Sequence, residues 1–303
     1  METERRTKEG SGLRSFVDVQ IARIGAFFTQ WEDERNLKKA QLITERRLVE
    51  TVVDGSDKRL RAVSGYVEAL RGCACDLFNQ VGVVAEGLPV ATLLSRKSFS
   101  TNPLVNSLFA TPEDIDELFS RDEQLSDFLM NQPLARSELI HAFLTATLTK
   151  KHVIGNALVR DEVVGDVVQL AINFSDLTIH CPSGQKTEVI TGLKTFMFDR
   201  ILADVRRDMD IHRHAEAERI HKGDMEGQIR SLNNPEVYLQ ALVKVLGSAT
   251  RSLHLLKTPM KLNKFGMIVE EDSIPTHEFD LYEISWNPHS KDVVSLVECK
   301  VSD

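Results

Sequence analysis

Residues 60–88 read LRAVSGYVEALRGCACDLFNQVGVVAEGL, and this stretch decides the expected fold. Leu60, Val63, Val67, Leu70, Ala74, Leu77, Val81, Val84 and Leu88 stand alternately three and four residues apart. That spacing is a heptad seam, which lines one side of an α-helix with apolar groups. Burial is worth roughly 0.8 kcal/mol per methylene, so such a stripe has to meet a second helix. The partner is either the preceding helix, folded back at Asp54-Gly55-Ser56-Asp57, or a second copy of the chain. Pro89 ends the helix.

Upstream, Met1 to Gly12 is polar with charges of both signs and reads as a disordered leader without a signal-type apolar run. Leu13, Phe16, Val17, Ile21, Ile24, Phe27, Phe28 and Trp31 then share one helical face. The acidic flank Glu32-Asp33-Glu34 argues against a membrane-surface helix, whose polar face is usually basic. Glu32 to Arg47 is densely charged and reads as a helical connection.

Downstream, residues 100–150 read as short helices. Thr111-Pro112-Glu113-Asp114 combines a cap residue, a proline and first-turn acids. Ser120-Arg121-Asp122-Glu123 is a capping-box pattern. After Pro133 a further helix is expected over roughly Leu134 to Lys150. Val163 to Cys181 is rich in β-branched residues and reads as a small β-hairpin, turning at Ser175-Asp176. A long helix is expected over about 187–230, apolar through Ile190, Leu193, Met197, Ile201 and Val205 and polar beyond. Asn234-Pro235 opens another, with Val237, Leu239, Leu242, Val243 and Leu246. Strands at about 261–269, 279–285 and 293–301 form a terminal meander, with Asn287-Pro288-His289-Ser290 joining the last two.

The expected fold is therefore mainly α with a minor β component, of α+β class. A leader at 1–12 precedes a helical hairpin or coiled coil at 13–89 and an α+β domain at 90–303. The chain has 303 residues, 42% hydrophobic and 27% charged, a balance that supports a packed core. Its net charge of −8 gives no general attraction to nucleic acid or anionic lipid. No apolar run reaches the roughly 18–20 residues of a membrane span. Cys73, Cys75, Cys181 and Cys299 are too few for a disulfide framework, so reduced thiols and a cytoplasmic location are expected.

Three groups of residues could carry chemistry. Asp280 falls in an expected strand and Glu298-Cys299-Lys300 in the next. An Asp followed by Glu-x-Lys resembles the core of the PD-(D/E)xK nucleases. That resemblance implies two carboxylates on Mg²⁺ and a lysine that positions or activates water. Glu298 and Lys300 would share one face of a strand. Against this, the motif is short, and an amphipathic edge strand has the same pattern.

Asp210, His214, Glu218 and His221 fall within about 80° of one helical face and could bind Zn²⁺ or a di-iron centre. A bundle site of that kind needs Glu-x-x-His on two helices, and a helix face this rich in charge presents such combinations anyway. Cys73 and Cys75 flank Ala74 and diverge by about 200° on a helix, so they read as packing residues. Phosphate-binding glycine loops and the Gly-x-Ser-x-Gly elbow are missing from the sequence.

Arg59-Leu60-Arg61 with Gly65-Tyr66, Asn106-Ser107-Leu108-Phe109-Ala110, and Gly165-Asp166-Val167 with Phe174-Ser175-Asp176 together resemble a family of proteobacterial cytosolic proteins, over residues 55–200. The resemblance brings no activity with it. The expectation that follows is a non-enzymatic interaction or scaffold protein, with a protein partner or self-association through the Leu60–Leu88 seam. The alternatives are a Mg²⁺-dependent nuclease and a metal-binding sensor.

Overall fold

The computed structural model describes residues 41–131, 139–159, 162–221, 234–263, 266–269 and 276–300. Helix accounts for 54% of these residues and strand for 32%. The expectation of a mainly α chain with a minor β component is thus corrected: the organising element is a curled six-stranded sheet. Its strands are β1 (Thr92–Leu94), β2 (Ile140–Val159), β3 (Glu162–Ser183), β4 (His254–Leu262), β5 (His277–Asn287) and β6 (Ser290–Cys299). The order is β3-β2-β6-β5-β4, with β1 beside β6.

β2 replaces the helix expected over Leu134 to Lys150. Ile140, Ala142, Leu144 and Ala146 enter one core and Phe143 the other. Phe143, which faces the second core, is the one large apolar residue that interrupts the alternation of Ile140, Ala142, Leu144, Ala146 and Leu148 with polar residues. β3 replaces the expected small hairpin: it is one strand of 22 residues. Asp176, read as a turn, is a bulge with φ 56°, and the pairing steps from Thr145↔Thr178 to Thr147↔Ser175. Asp166 (φ 58°) and Cys181 (φ 52°) sit at two further register shifts. Each bulge puts an extra residue on β3 and raises the local twist, so three of them curl the β2–β3 ribbon.

β5 and β6 form a hairpin at Asn287-Pro288-His289-Ser290, where the His289 N–H donates to Asn287 Oδ1 at 2.9 Å. The two strands pair only between Glu283–Asn287 and Ser290–Val293. Beyond that, β1 lies parallel beside β6, with Leu93 opposite Glu298, and β2 flanks the other side. The segment 266–269 bridges both outer strands. Ile172 N–H donates to Gly266 O and Ile268 N–H to Leu170 O, while Asn263 N–H donates to Met267 O and Val269 N–H to Lys261 O. It therefore stitches β3 to β4 across the mouth of the curl.

Two hydrophobic cores follow from the two faces. One gathers Ala146, Phe174, Met260, Leu281 and Val293 from all five long strands, which only the inside of a curl permits. Short helices fill it: α3 (Arg96–Thr101), α4 (Pro103–Leu108), α5 (Glu113–Arg121) and α6 (Glu123–Asn131), through Val105, Leu108, Ile115 and Leu125. The outer face offers Phe143, Ile284, Trp286, Val294 and Leu296. It is covered by helical residues 41–55 (α1), α2 (Tyr66–Glu86), α7 (Lys186–His221) and α8 (Pro235–Ser252). Residues from both expected domains, Val49–Ala85 and Phe143–Leu296, share this cluster.

The heptad seam belongs to that outer layer. Leu60 is buried in a 3-10 turn, Lys58–Ala62, which Asp57 caps. Gly65, at φ 77°, interrupts the path before α2 begins. Leu70, Ala74, Leu77, Val81 and Val84 are buried, and α2 packs on α7 and α8. The expected coiled coil is corrected: the stripe is satisfied by two helices of the same chain that lie more than 100 residues onward. The Leu13–Trp31 stripe lies outside the described residues. No helix among the described residues is long and apolar enough to cross a membrane.

Candidate interaction surface

The sheet core is far shorter than its longest hairpin. β2 pairs with β6 only from Ile140 to Ala146, yet its pairing with β3 continues to Val159↔Glu162. Thr147 to Val159, with Glu162 to Ser175, therefore outrun β6 as a ribbon-like arm of ~40 Å, at about 3.3 Å per residue, whose root still packs on the inner core through Leu148, Ile172 and Phe174. An isolated hairpin of this kind is marginal in water without further cover.

The two edges of the arm differ. The β3 edge is covered near its root by Gly266 and Ile268. Closer to the body it is tied to α6: Ile179 N–H donates to Asp122 Oδ2 at 3.0 Å and Cys181 N–H to Gln124 Oε1 at 3.1 Å. The β2 edge from Thr147 to Val159 has no second strand beside it among the described residues. Ile154 and Val168 are cross-strand partners, 73% and 62% exposed. They stand on one face as an apolar pair open to water. An unpaired strand edge beside exposed apolar side chains makes this edge the candidate surface.

Charge is polarised along the arm. Lys150 and Lys151 lie near its root, while Asp166 and Glu162 lie toward its tip, where in the sequence Arg160 and Asp161 offset one another. Lys150, Lys151 and Asp166 take no part in the ion pairs among the described residues. This surface is hidden in the sequence, where a helix is expected across the first half of β2 and a turn in the middle of β3. The signal that marks it is Lys150 to Val159, where Val153, Ile154, Leu158 and Val159 precede the β-branched run from Val163.

The residues singled out for chemistry are placed as follows. Asp280 lies on β5 opposite Pro259, and its carboxylate meets Lys257 Nζ at 2.8 Å. Glu298 lies on β6 between Leu93 and His141. The hairpin pairing of β5 with β6 has ended before either residue, so register does not bring Asp280 and Glu298 side by side. Lys300 follows β6 and is exposed. His141 Nδ1 approaches Glu298 Oε1 at 3.5 Å. That is too long for a good hydrogen bond, and the buried Nδ1 has no hydrogen-bond partner among the described residues. Ser183 sits opposite His141, but its hydroxyl donates to Glu188.

Asp210 and His214 line a cleft of about 590 Å³ between α1 and α7, with Asp54, Arg206 and Arg207. Asp210 pairs with Arg213 at 3.7 Å. The side chains of Glu218 and His221 lie outside the described residues. Among the described residues no group of three or more His, Cys, Asp or Glu is gathered for a metal ion.

The end of this cleft is a structural ion network. Asp57 takes Arg59 at 2.6 Å and Arg213 at 3.3 Å. The hydrogen bond from Arg59 holds its carboxyl below the usual range, and the Arg213 charge adds to the effect. Arg213 also lies over Tyr238, 5.1 Å from the ring centroid. Tyr66 Oη donates to Glu50 at 2.6 Å, which, with Arg61, lowers the Glu50 carboxyl. These charges join α1, the 3-10 turn, α7 and α8, a role that accounts for them without a ligand.

Comparison of the chain with protein-family models, with curated proteins and with solved structures finds no match.

Proposed function

We propose that this chain is a non-enzymatic interaction protein whose binding element is the β2–β3 arm. The observation that carries the reading is the β2 edge from Thr147 to Val159, which no second strand covers among the described residues, beside the exposed Ile154–Val168 pair. A sheet edge binds an extended strand through main-chain hydrogen bonds, and alternate side chains add selectivity. The seam first expected to recruit a partner is occupied inside the fold, so the arm takes over that role. Cys73, Cys75, Cys181 and Cys299 are free thiols, and this supports work in the reducing cytoplasm.

The test is a photo-crosslinking amino acid placed at position 154, with the exposed Glu117 position as control, in cells producing the full chain. The reading expects a defined crosslinked species at 154 that the control lacks. Equal, weak labelling at the two positions would remove the arm as a binding element.

A further inference from the structure

We propose that the partner of the arm is a second copy of the same chain, docked antiparallel about a two-fold axis with the two β2 edges side by side. This rests on the reading of the arm as the binding element.

Three observations select this occupant. The first is the unequal treatment of the edges. β3 is covered at Leu170 and Ile172 by the 266–269 bridge and at Ile179 and Cys181 by α6. β2 carries neither a proline nor a bulge of its own between Thr147 and Val159, and among the described residues no strand but β3 pairs with it there. Proteins blunt an edge that has to stay single with cover, bulges, proline or lysine; here β3 is covered at its root and bulged at Asp166, while β2 carries Lys150 and Lys151 near its root and none of these devices from His152 to Val159.

The second is charge. The root of the arm carries Lys150 and Lys151 and its outer part Asp166 and Glu162. Two arms laid antiparallel set the basic root of each beside the acidic outer part of the other. A parallel arrangement sets like against like. The arm is thus complementary to its own inverted copy, which is the property an isologous two-fold interface requires.

The third is length and content. An antiparallel β2–β2 contact centred near Val153 places Lys150 opposite Asn156 and Lys151 opposite Gly155, so no like charges meet across it. It joins the two ribbons into one four-stranded sheet, which is the cover a lone hairpin lacks. Ile154 and Val168 of both copies then stand on that sheet as neighbours instead of facing water singly.

The experiment is light scattering after size exclusion on the full chain at high micromolar concentration. It uses wild type, Lys150→Glu/Lys151→Glu, and the fourfold variant that adds Glu162→Lys/Asp166→Lys. Wild type is expected at twice the 34.1 kDa chain mass. The first variant is expected at half the wild-type value, and the fourfold variant back at the wild-type value because root and outer part are both reversed. Circular dichroism and melting of all three check the fold. Amide exchange supplies a second readout: protection over Thr147–Val159 should rise with protein concentration.

A wild-type monomer overturns the inference. So does a dimer whose mass ignores the charge reversal and whose arm amides stay unprotected, since its interface is then elsewhere. A crosslink from position 154 to a different protein also overturns it, yet leaves the arm as the binding element. The absence of any specific crosslink at 154 removes both readings.

Discussion

Asp122 and Ile179 are joined by a hydrogen bond that closes the sheet edge. One carboxylate oxygen of Asp122 accepts from Leu125 N–H at 2.9 Å and so caps α6; the other accepts from Ile179 N–H at 3.0 Å. One side chain thus satisfies an orphan helix donor and an orphan edge donor. Asp122→Ala is expected to cost about 2–4 kcal/mol, about 1 from the cap and the rest from the unpaired amide. Urea unfolding measures the total. A loss below about 1 kcal/mol would mean water replaces the Ile179 contact.

Leu77 is buried where α2 meets the outer helical layer. Leu77→Ala should lower stability by about 2–5 kcal/mol, while the mass in solution stays that of wild type. A variant that changed mass but kept its denaturation midpoint would return the seam to a subunit interface.

The legible parts of the sequence were those with local causes. Asn234 accepts from Glu236 N–H and Pro235 takes the first helical position, so α8 begins where the cap pattern places it. Asp114 accepts from the Ala110 and Thr111 amides, and α5 starts there. The heptad spacing correctly marked a buried stripe from Leu70 to Val84, but spacing does not say which helices cover it; α7 and α8 arrive from distant sequence. β2 does carry a period-two signal, Ile140, Ala142, Leu144, Ala146 and Leu148 alternating with His141, Thr145, Thr147 and Thr149, but Phe143 interrupts it. β3 was split because Ser175-Asp176 has turn chemistry, and an aspartate that tolerates positive φ serves a bulge as well as a turn. The open β2 edge is not legible in the sequence, because it exists only once β2 outruns β6.

Gly192 on α7 faces the bulge residue Cys181 on β3. A Cβ at position 192 would lie 2.6 Å from Cys181 Sγ and 2.8 Å from its Cβ. The second contact cannot be relieved by rotating the side chain, so helix and strand must separate. Gly192→Ala should destabilise by about 1–2 kcal/mol, overpacking outweighing the gain in helix propensity. Cys181 has φ 52°, a conformation glycine adopts freely. In a Cys181→Gly background the same alanine should instead stabilise, by up to about 1 kcal/mol. The sign reversal in a double-mutant cycle is the result to look for; additivity would show that the contact is not what limits position 192.

His180 reports on the outer core through pH. Its ring stacks on Phe143 at 4.9 Å, touches Phe196 at 4.9 Å, and its Nε2 lies 2.9 Å from Thr145 Oγ1. Burial pushes its pKa below the ordinary histidine value of 6.5, and the Asp122 charge opposes that only in part. A folded-state pKa below the unfolded one means the unfolded chain takes up the proton first as pH falls. The contribution of His180 is therefore complete above the unfolded value and is lost as pH drops from there toward the folded value. Glu50 and Asp57 act at lower pH, because their carboxyls start from 4.5 and 3.8 and are lowered further. Between pH 7.5 and 5 the urea midpoint of wild type should thus fall more than that of His180→Gln. Parallel profiles for the two proteins would show that His180 titrates alike in both states, and that Phe143, Phe196 and Thr145 do not hold its ring neutral.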